Sequence, residues 1–190
     1  MTGPVADAAA GGAGRRRVAV WDPFVRLFHW SLAGGFLLNY ALIDDDSAAH
    51  RWVGYAVAAL VGLRILWGFA GPRRARFASF PPDPAAAWDH LRQIALWRPG
   101  RPHASHSPLG ALMVYNLLAC MLALGLTGWM MTTTTFFGVE WVEELHEAVA
   151  NWAMLSVIVH VGAVFVESRR LNANLLRGMT GAWPWTRGPR

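Results

Sequence analysis

The stretch that decides the fold is HEAVANWAMLSVIVHVGAVFV, residues 146–166. It is mostly apolar and Glu147 is its one carboxylate, and a helix of this length crosses the hydrocarbon core of a bilayer, about 30 Å thick. His146 and His160 are 14 residues apart. At about 100° per residue, 14 steps fall about 40° short of four full turns and rise about 21 Å. The stretch therefore predicts a membrane-spanning helix that presents two imidazoles on one face, one near each surface.

Three further segments are long and apolar enough to span: residues 24–43, 50–69 and 108–131. The span quoted above begins at residue 141 or 146. The whole chain is 54% hydrophobic and only 15% charged, which an ordinary soluble domain of 190 residues would not be. The sequence therefore predicts an all-α fold, a transmembrane four-helix bundle.

The bundle is predicted to occupy residues 18–181, between a disordered tail at 1–17 and a short tail at 182–190. The first tail is rich in Ala and Gly. A short interfacial helix is predicted at 85–97, in the long link between the second and third spans.

The charges predict the orientation of the bundle. Arginines precede the first span, fill the link at 73–107 and follow the fourth span, whereas the other two links are acidic. The positive-inside rule then places both termini and the 73–107 link in the cytoplasm. Nucleic acid is not an expected partner despite the pI near 10.6, because the basic residues fall in blocks between apolar runs.

Two more histidines lie in or at the ends of the predicted spans, His29 on the first and His50 on the second. With the predicted topology, His50 and His146 are both at the outer level, and His29 and His160 are both at the inner level. Ionisable residues inside a membrane are costly, so each is a candidate functional residue. A transition-metal transport site fits less well because no intramembrane carboxylate accompanies the histidines. Histidines that only pack or link helices remain an alternative.

Neutral imidazole is a common axial ligand of haem iron, and two such ligands leave no open position for oxygen chemistry. The sequence has a single cysteine, Cys120, and therefore no Cys-x-x-Cys-His motif for covalent haem attachment. Cys120 is predicted to be a buried packing thiol. The two pairs, His29 with His160 and His50 with His146, thus predict two non-covalent haem b groups with bis-histidine ligation, and electron transfer without a catalytic residue.

Two more residues are candidates for cofactor binding. Arg64 follows His50 by 14 residues, and its guanidinium suits a haem propionate or, equally, the inner lipid headgroups. Gly54 lies one turn after His50, where the missing side chain would let a macrocycle lie against the helix or let two helices pack closely. His106 is interpreted as a loop histidine, with quinone protonation as the alternative. His90 and His103 are predicted to be solvated.

The motifs WDPFVRLFHW (21–30), HRWVGY (50–55), RILWGF (64–69) and HSPLGAL (106–112), with the pair His146 and His160, resemble those of bacterial di-haem b-type cytochromes. This group contains the cytochrome b subunits of nickel–iron hydrogenases and the gamma subunits of formate dehydrogenases. The resemblance implies two b haems, ligated by one histidine each from the first two helices and two from the fourth. It also implies electron exchange between the quinone pool and a periplasmic partner.

The expected function is therefore that of an electron-transfer subunit in a respiratory chain. Its expected partners are membrane lipid, quinone and a periplasmic redox protein, either a hydrogenase-like subunit or a basic cytochrome c that faces the acidic outer links. Two alternatives remain: a haem-free membrane anchor for a redox complex, and a stand-alone quinone reductase.

Overall fold

The computed structural model describes residues 23–98, 107–171 and 175–180. The predicted tails, the first two residues of the WDPFVRLFHW motif, His103 and His106 lie outside these residues. The described part is helical and contains no strand. Its helices are α1 (Pro23–Ala41), α2 (Ala48–Ala70), α3 (Pro84–Ala95), α4 (Pro108–Met130), α5 (Glu140–Arg170) and α6 (Leu176–Thr180). The prediction of an all-α helical bundle is confirmed.

Three helices are long and apolar enough to cross a membrane: α2, α4 and α5. Helix α1 is not among them, because Arg26, His29 and Asn39 interrupt its apolar sequence. The crossing of α1 as a fourth span therefore stays a prediction. The bounds of α1, α2 and α4 agree with the predicted segments to within two residues, and α5 continues beyond residue 166 to Arg170.

Local capping explains where the helices begin and end. Ser47 accepts a hydrogen bond from the backbone N–H of His50, and Ser107 does the same for Gly110. Pro108 follows its cap at the first helical position, where the missing N–H costs nothing. Helix α2 ends at Gly71, and Pro72 prevents its continuation. His50 is thus fixed in the first turn of α2, at the membrane end next to the short α1–α2 link.

The main helix packing follows the order α1, α2, α4, α5. Helix α5 packs extensively against α4, and buried Ser156 accepts a hydrogen bond from Asn116 at 2.8 Å across this contact. It has no comparable contact with α1 or α2. The core lies between α1, α2, α4 and α5 and includes Cys120, a buried packing thiol as predicted. The arrangement leaves a gap between α5 on one side and α1 with α2 on the other.

At the end of α2, the chain turns back through two 3-10 turns, Arg73–Ala75 and Phe77–Ser79. Phe77 packs so closely on Gly68 that a Cβ there would collide with its ring. Amphipathic helix α3 follows and packs against α4, which confirms the predicted short helix in this link.

The prediction that His90 is solvated is wrong. His90, on α3, is only 5% exposed, and its Nε2 lies 3.3 Å from the Glu167 carboxylate at the end of α5. Arg170 also pairs with Glu167 and donates to the carbonyl of Arg98 at 2.9 Å. Burial of His90 follows because α3 folds back onto these charged groups, a contact that no local sequence pattern indicates.

Candidate functional site

The fold brings the four span histidines together as the two predicted pairs. The rings of His50 and His146 have centroids 6.4 Å apart and planes at 61° to each other. Those of His29 and His160 have centroids 6.4 Å apart and planes at 53°. Each pair lies across the gap, with one ring on α5 and its partner on α1 or α2. The equal separation at two levels of the bundle indicates that both pairs are built for the same kind of occupant.

The separation suits a metal ion between the rings. Two metal–nitrogen bonds of about 2 Å each, with roughly 1 Å from each nitrogen to its ring centre, span about 6 Å. No hydrogen bond joins the rings of either pair in the described part of the chain. The two imidazoles of each pair lie close together without a hydrogen bond between them, at a separation that would admit a metal ion.

The donor set indicates which group would fill this space. No cluster of three or more His, Cys, Asp or Glu side chains suitable for a metal occurs among the described residues. A transition-metal ion held by two imidazoles needs further ligands, and haem supplies four from its own macrocycle. The residues present therefore fit haem, and they do not form a protein-only metal site.

The Nδ1 atoms of these histidines differ in their hydrogen bonding. The Nδ1 atoms of His29 and His50 are buried and have no hydrogen-bond partner among the described residues. His146 differs, because its Nδ1 lies 2.8 Å from the hydroxyl of Thr127 on α4. In the described part of the chain, it is the only one of the four rings with a hydrogen bond to another side chain.

A cavity of about 1190 Å³ surrounds His50 and His146. We call these two residues the outer pair and His29 with His160 the inner pair, after the predicted topology. It is lined by α1, α2, α4 and α5 and opens at the acidic links. Seven carboxylates line this cavity: Asp44, Asp45, Asp46, Glu140, Glu143, Glu144 and Glu147. We call these seven residues the acidic rim. The space is of the size that accommodates a large cofactor, and its opening carries strong negative charge.

Gly54 lines this cavity, and a Cβ there would meet only the Asn39 amide nitrogen at 3.7 Å. Close helix packing therefore does not require a glycine at this position. It does at Gly35 and Gly125, where a Cβ would come within 2.8 Å of Val57 and within 3.1 Å of Ala58. Of the two interpretations of Gly54, the structure favours open space beside His50.

Arg64 is 4% exposed and lies in the C-terminal half of α2. One guanidinium nitrogen donates to the carbonyl of Ala75 at 3.3 Å, and the group lies 5.1 Å from the Phe77 ring centre. A second guanidinium nitrogen, Nη1, is buried and has no partner among the described residues. The guanidinium is therefore enclosed by the protein. It keeps one donor available for an acceptor inside the bundle.

A bundle of membrane-spanning helices with histidine rings paired across an internal gap is the architecture of an integral membrane cytochrome. The family model for prokaryotic cytochrome b561 matches residues 20–182. The chain belongs to this family, so it is a bacterial membrane b-type cytochrome whose cofactor is haem b and whose function is electron transfer. This agrees with the resemblance noted in the sequence. Neither a curated protein nor a solved structure matches the chain.

Proposed function

We propose that the chain carries electrons across the bacterial inner membrane through two haem b groups, each held between two histidines. His50 and His146 hold the outer haem, and His29 and His160 hold the inner haem. The observation that carries the proposal is the equal 6.4 Å separation of the two ring pairs.

Haem b supplies a reversible one-electron couple, and ligation by two imidazoles leaves no site for oxygen. The chain's residues bind, orient and enclose the cofactor. Helix α5 provides one ligand to each site, so the positions of both sites depend on one rigid element. Arg64 and His160 each follow an outer-pair histidine by 14 residues, a rise of about 21 Å, so the free donor of Arg64 lies at the inner level and suits a propionate there.

The proposed orientation follows the charges. Helix α1 crosses as a fourth span beside α2, both termini face the cytoplasm, and the acidic rim faces the periplasm. A periplasmic redox protein with a basic face, such as a cytochrome c or a hydrogenase-like subunit, would dock at this rim. Quinone would exchange electrons nearer the inner haem, which places the chain in a respiratory chain.

The proposal is tested by the haem content of protein purified from haem-replete cells. We expect two haems per chain and a low-spin b-type spectrum on reduction. The double variant His146→Ala, His160→Ala should lose both, because it removes one ligand from each pair. His90→Ala is the matched control, since His90 is buried but faces Glu167 rather than a second imidazole, and it should keep both. Two haems retained in the double variant would contradict the assignment.

The same preparation separates the alternatives. Wild-type protein without haem would support a membrane anchor for a redox complex. Reduction of quinone by the purified chain alone, with a small-molecule donor and no protein partner, would support a stand-alone quinone reductase.

A further inference from the structure

The Thr127 side chain lies at the contact between α4 and α5, next to the ring of His146. It is 3% exposed, and its hydroxyl makes two short contacts. One is with the backbone carbonyl of Ala123 at 2.8 Å, one turn earlier on α4. The other is with Nδ1 of His146, also at 2.8 Å.

Both contacts can be hydrogen bonds at the same time with only one placement of the protons. A carbonyl oxygen only accepts, so the single hydroxyl proton of Thr127 is directed to Ala123. The hydroxyl oxygen then accepts from His146, whose Nδ1 must carry the proton. A neutral imidazole has one protonated nitrogen, so Nε2 is left with a free lone pair. The contact thus holds His146 in the tautomer in which Nε2 is the ligand.

The other three histidines lack this support. The Nδ1 atoms of His29 and His50 are buried without a partner, and no hydrogen bond involves the ring of His160 in the described ranges. Helix α4 therefore orients one ligand of the outer pair and neither ligand of the inner pair. The neighbour of Thr127, Gly128, lies beside the same ring, and a Cβ there would lie 3.4 Å from Cε1 of His146.

We propose that Thr127 is a positioning residue for the outer haem. It sets the tautomer and ring angle of His146 and, by accepting its N–H, increases electron donation from the imidazole to the iron. The inference rests on the proposed ligation of the outer haem by His50 and His146. Its consequence is a reduction potential at the outer site that depends on a hydroxyl from a helix that supplies no ligand.

Thr127→Val tests the proposal, because valine keeps the shape and removes the acceptor. We expect outer-haem binding to weaken about 10- to 100-fold, as is typical for loss of a partner that supports a metal ligand. The midpoint potential of the outer haem should rise, because its ligand donates less to the iron. Its low-spin ferric EPR signal, which depends on the angle between the imidazole planes, should shift. Thr127→Ser keeps the hydroxyl and should keep the binding, midpoint potential and EPR signal of the outer haem close to those of the wild type.

Thr133→Val is the matched control. The Thr133 hydroxyl donates to the carbonyl of Met130 at 2.7 Å, and no histidine contact is described for it. This variant should leave both haems unchanged. Each variant is also made in the His160→Ala background, where only the outer haem is expected, so that a measured potential belongs to one site.

An outer-haem potential and EPR signal that are unchanged in Thr127→Val would overturn the proposal. If Thr127→Val does not accumulate, Thr127→Ala removes the same acceptor with less bulk and is judged by the same criteria. Inner-haem content reports folding for each variant made without the His160→Ala change. Wild-type protein without an outer haem would instead refute the proposed function, so the two failures are distinguishable.

Discussion

The outer and inner histidine pairs have the same ring separation, 6.4 Å, and similar angles between the rings, 61° and 53°. Their surroundings differ. The outer pair lies in a cavity that opens at the acidic rim, and the Thr127 hydroxyl lies 2.8 Å from Nδ1 of His146. Arg64, which we assign to the level of the inner pair, is buried and contacts Phe77 in the link after α2. Under the proposed ligation, similar histidine pairs in different electrostatic settings would give the two haems different potentials.

The largest expected effect comes from removing one histidine of one pair at a time. His146→Ala should eliminate the outer haem alone, and His160→Ala the inner haem alone, because each leaves the other pair intact. Haem content should fall from two per chain to one, and the two variants should have different spectra and midpoint potentials. Loss of both haems from either variant would indicate that the sites do not form independently.

Gly54 tests the space at the outer site. Gly54→Leu should weaken outer-haem binding by up to about 100-fold, because overpacking typically costs about 1–3 kcal/mol. Gly54→Ala should bind nearly normally, since its Cβ meets only Asn39 at 3.7 Å. Haem titration of each variant measures the effect. Gly34→Leu is the control, because a Cβ at Gly34 meets nothing within 4 Å, and equal losses in both leucine variants would refute the assignment.

Arg64 tests the charge at the inner site. Arg64→Met should lower the midpoint potential of the inner haem, because a nearby cation favours the reduced state, and should weaken its binding about tenfold. The outer haem in the same molecule is the internal reference for the redox titration. Arg92→Met, which removes a cation from α3, is the matched control. A shift of midpoint potential confined to the outer haem would contradict the assignment of Arg64 to the inner site.

The acidic rim gives the smallest expected effect. Changing Asp44, Asp45 and Asp46 together to Asn should slow electron exchange with a basic cytochrome c about tenfold at low ionic strength, through weaker steering. The difference should shrink at high salt, where the charges are screened. Stopped-flow kinetics measures the rate, and Asp89→Asn on α3 is the control. An unchanged rate at low salt would argue against docking at this rim.

The sequence was sufficient to predict the helices and the pairing of the histidines, because long apolar runs, a 14-residue spacing and the distribution of arginines are local patterns. The support of His146 by Thr127 could not be predicted, since the two residues lie on different helices and a threonine within an apolar run has many ordinary roles. Burial of His90 was missed for a similar reason. It depends on α3 folding back onto the end of α5, which only the tertiary structure specifies.

The gap between α5 and helices α1 and α2 has a consequence for biogenesis. Helix α5 follows the other three long helices in the chain and carries one histidine of each pair, yet its extensive packing is against α4 alone. We therefore expect the face of α5 toward α1 and α2 to stay unpacked in newly inserted chains until cofactor delivery joins it to these two helices. Membrane proteases that recognise a mobile helix would then degrade chains without cofactor, so the cell's haem supply would set the abundance of this protein.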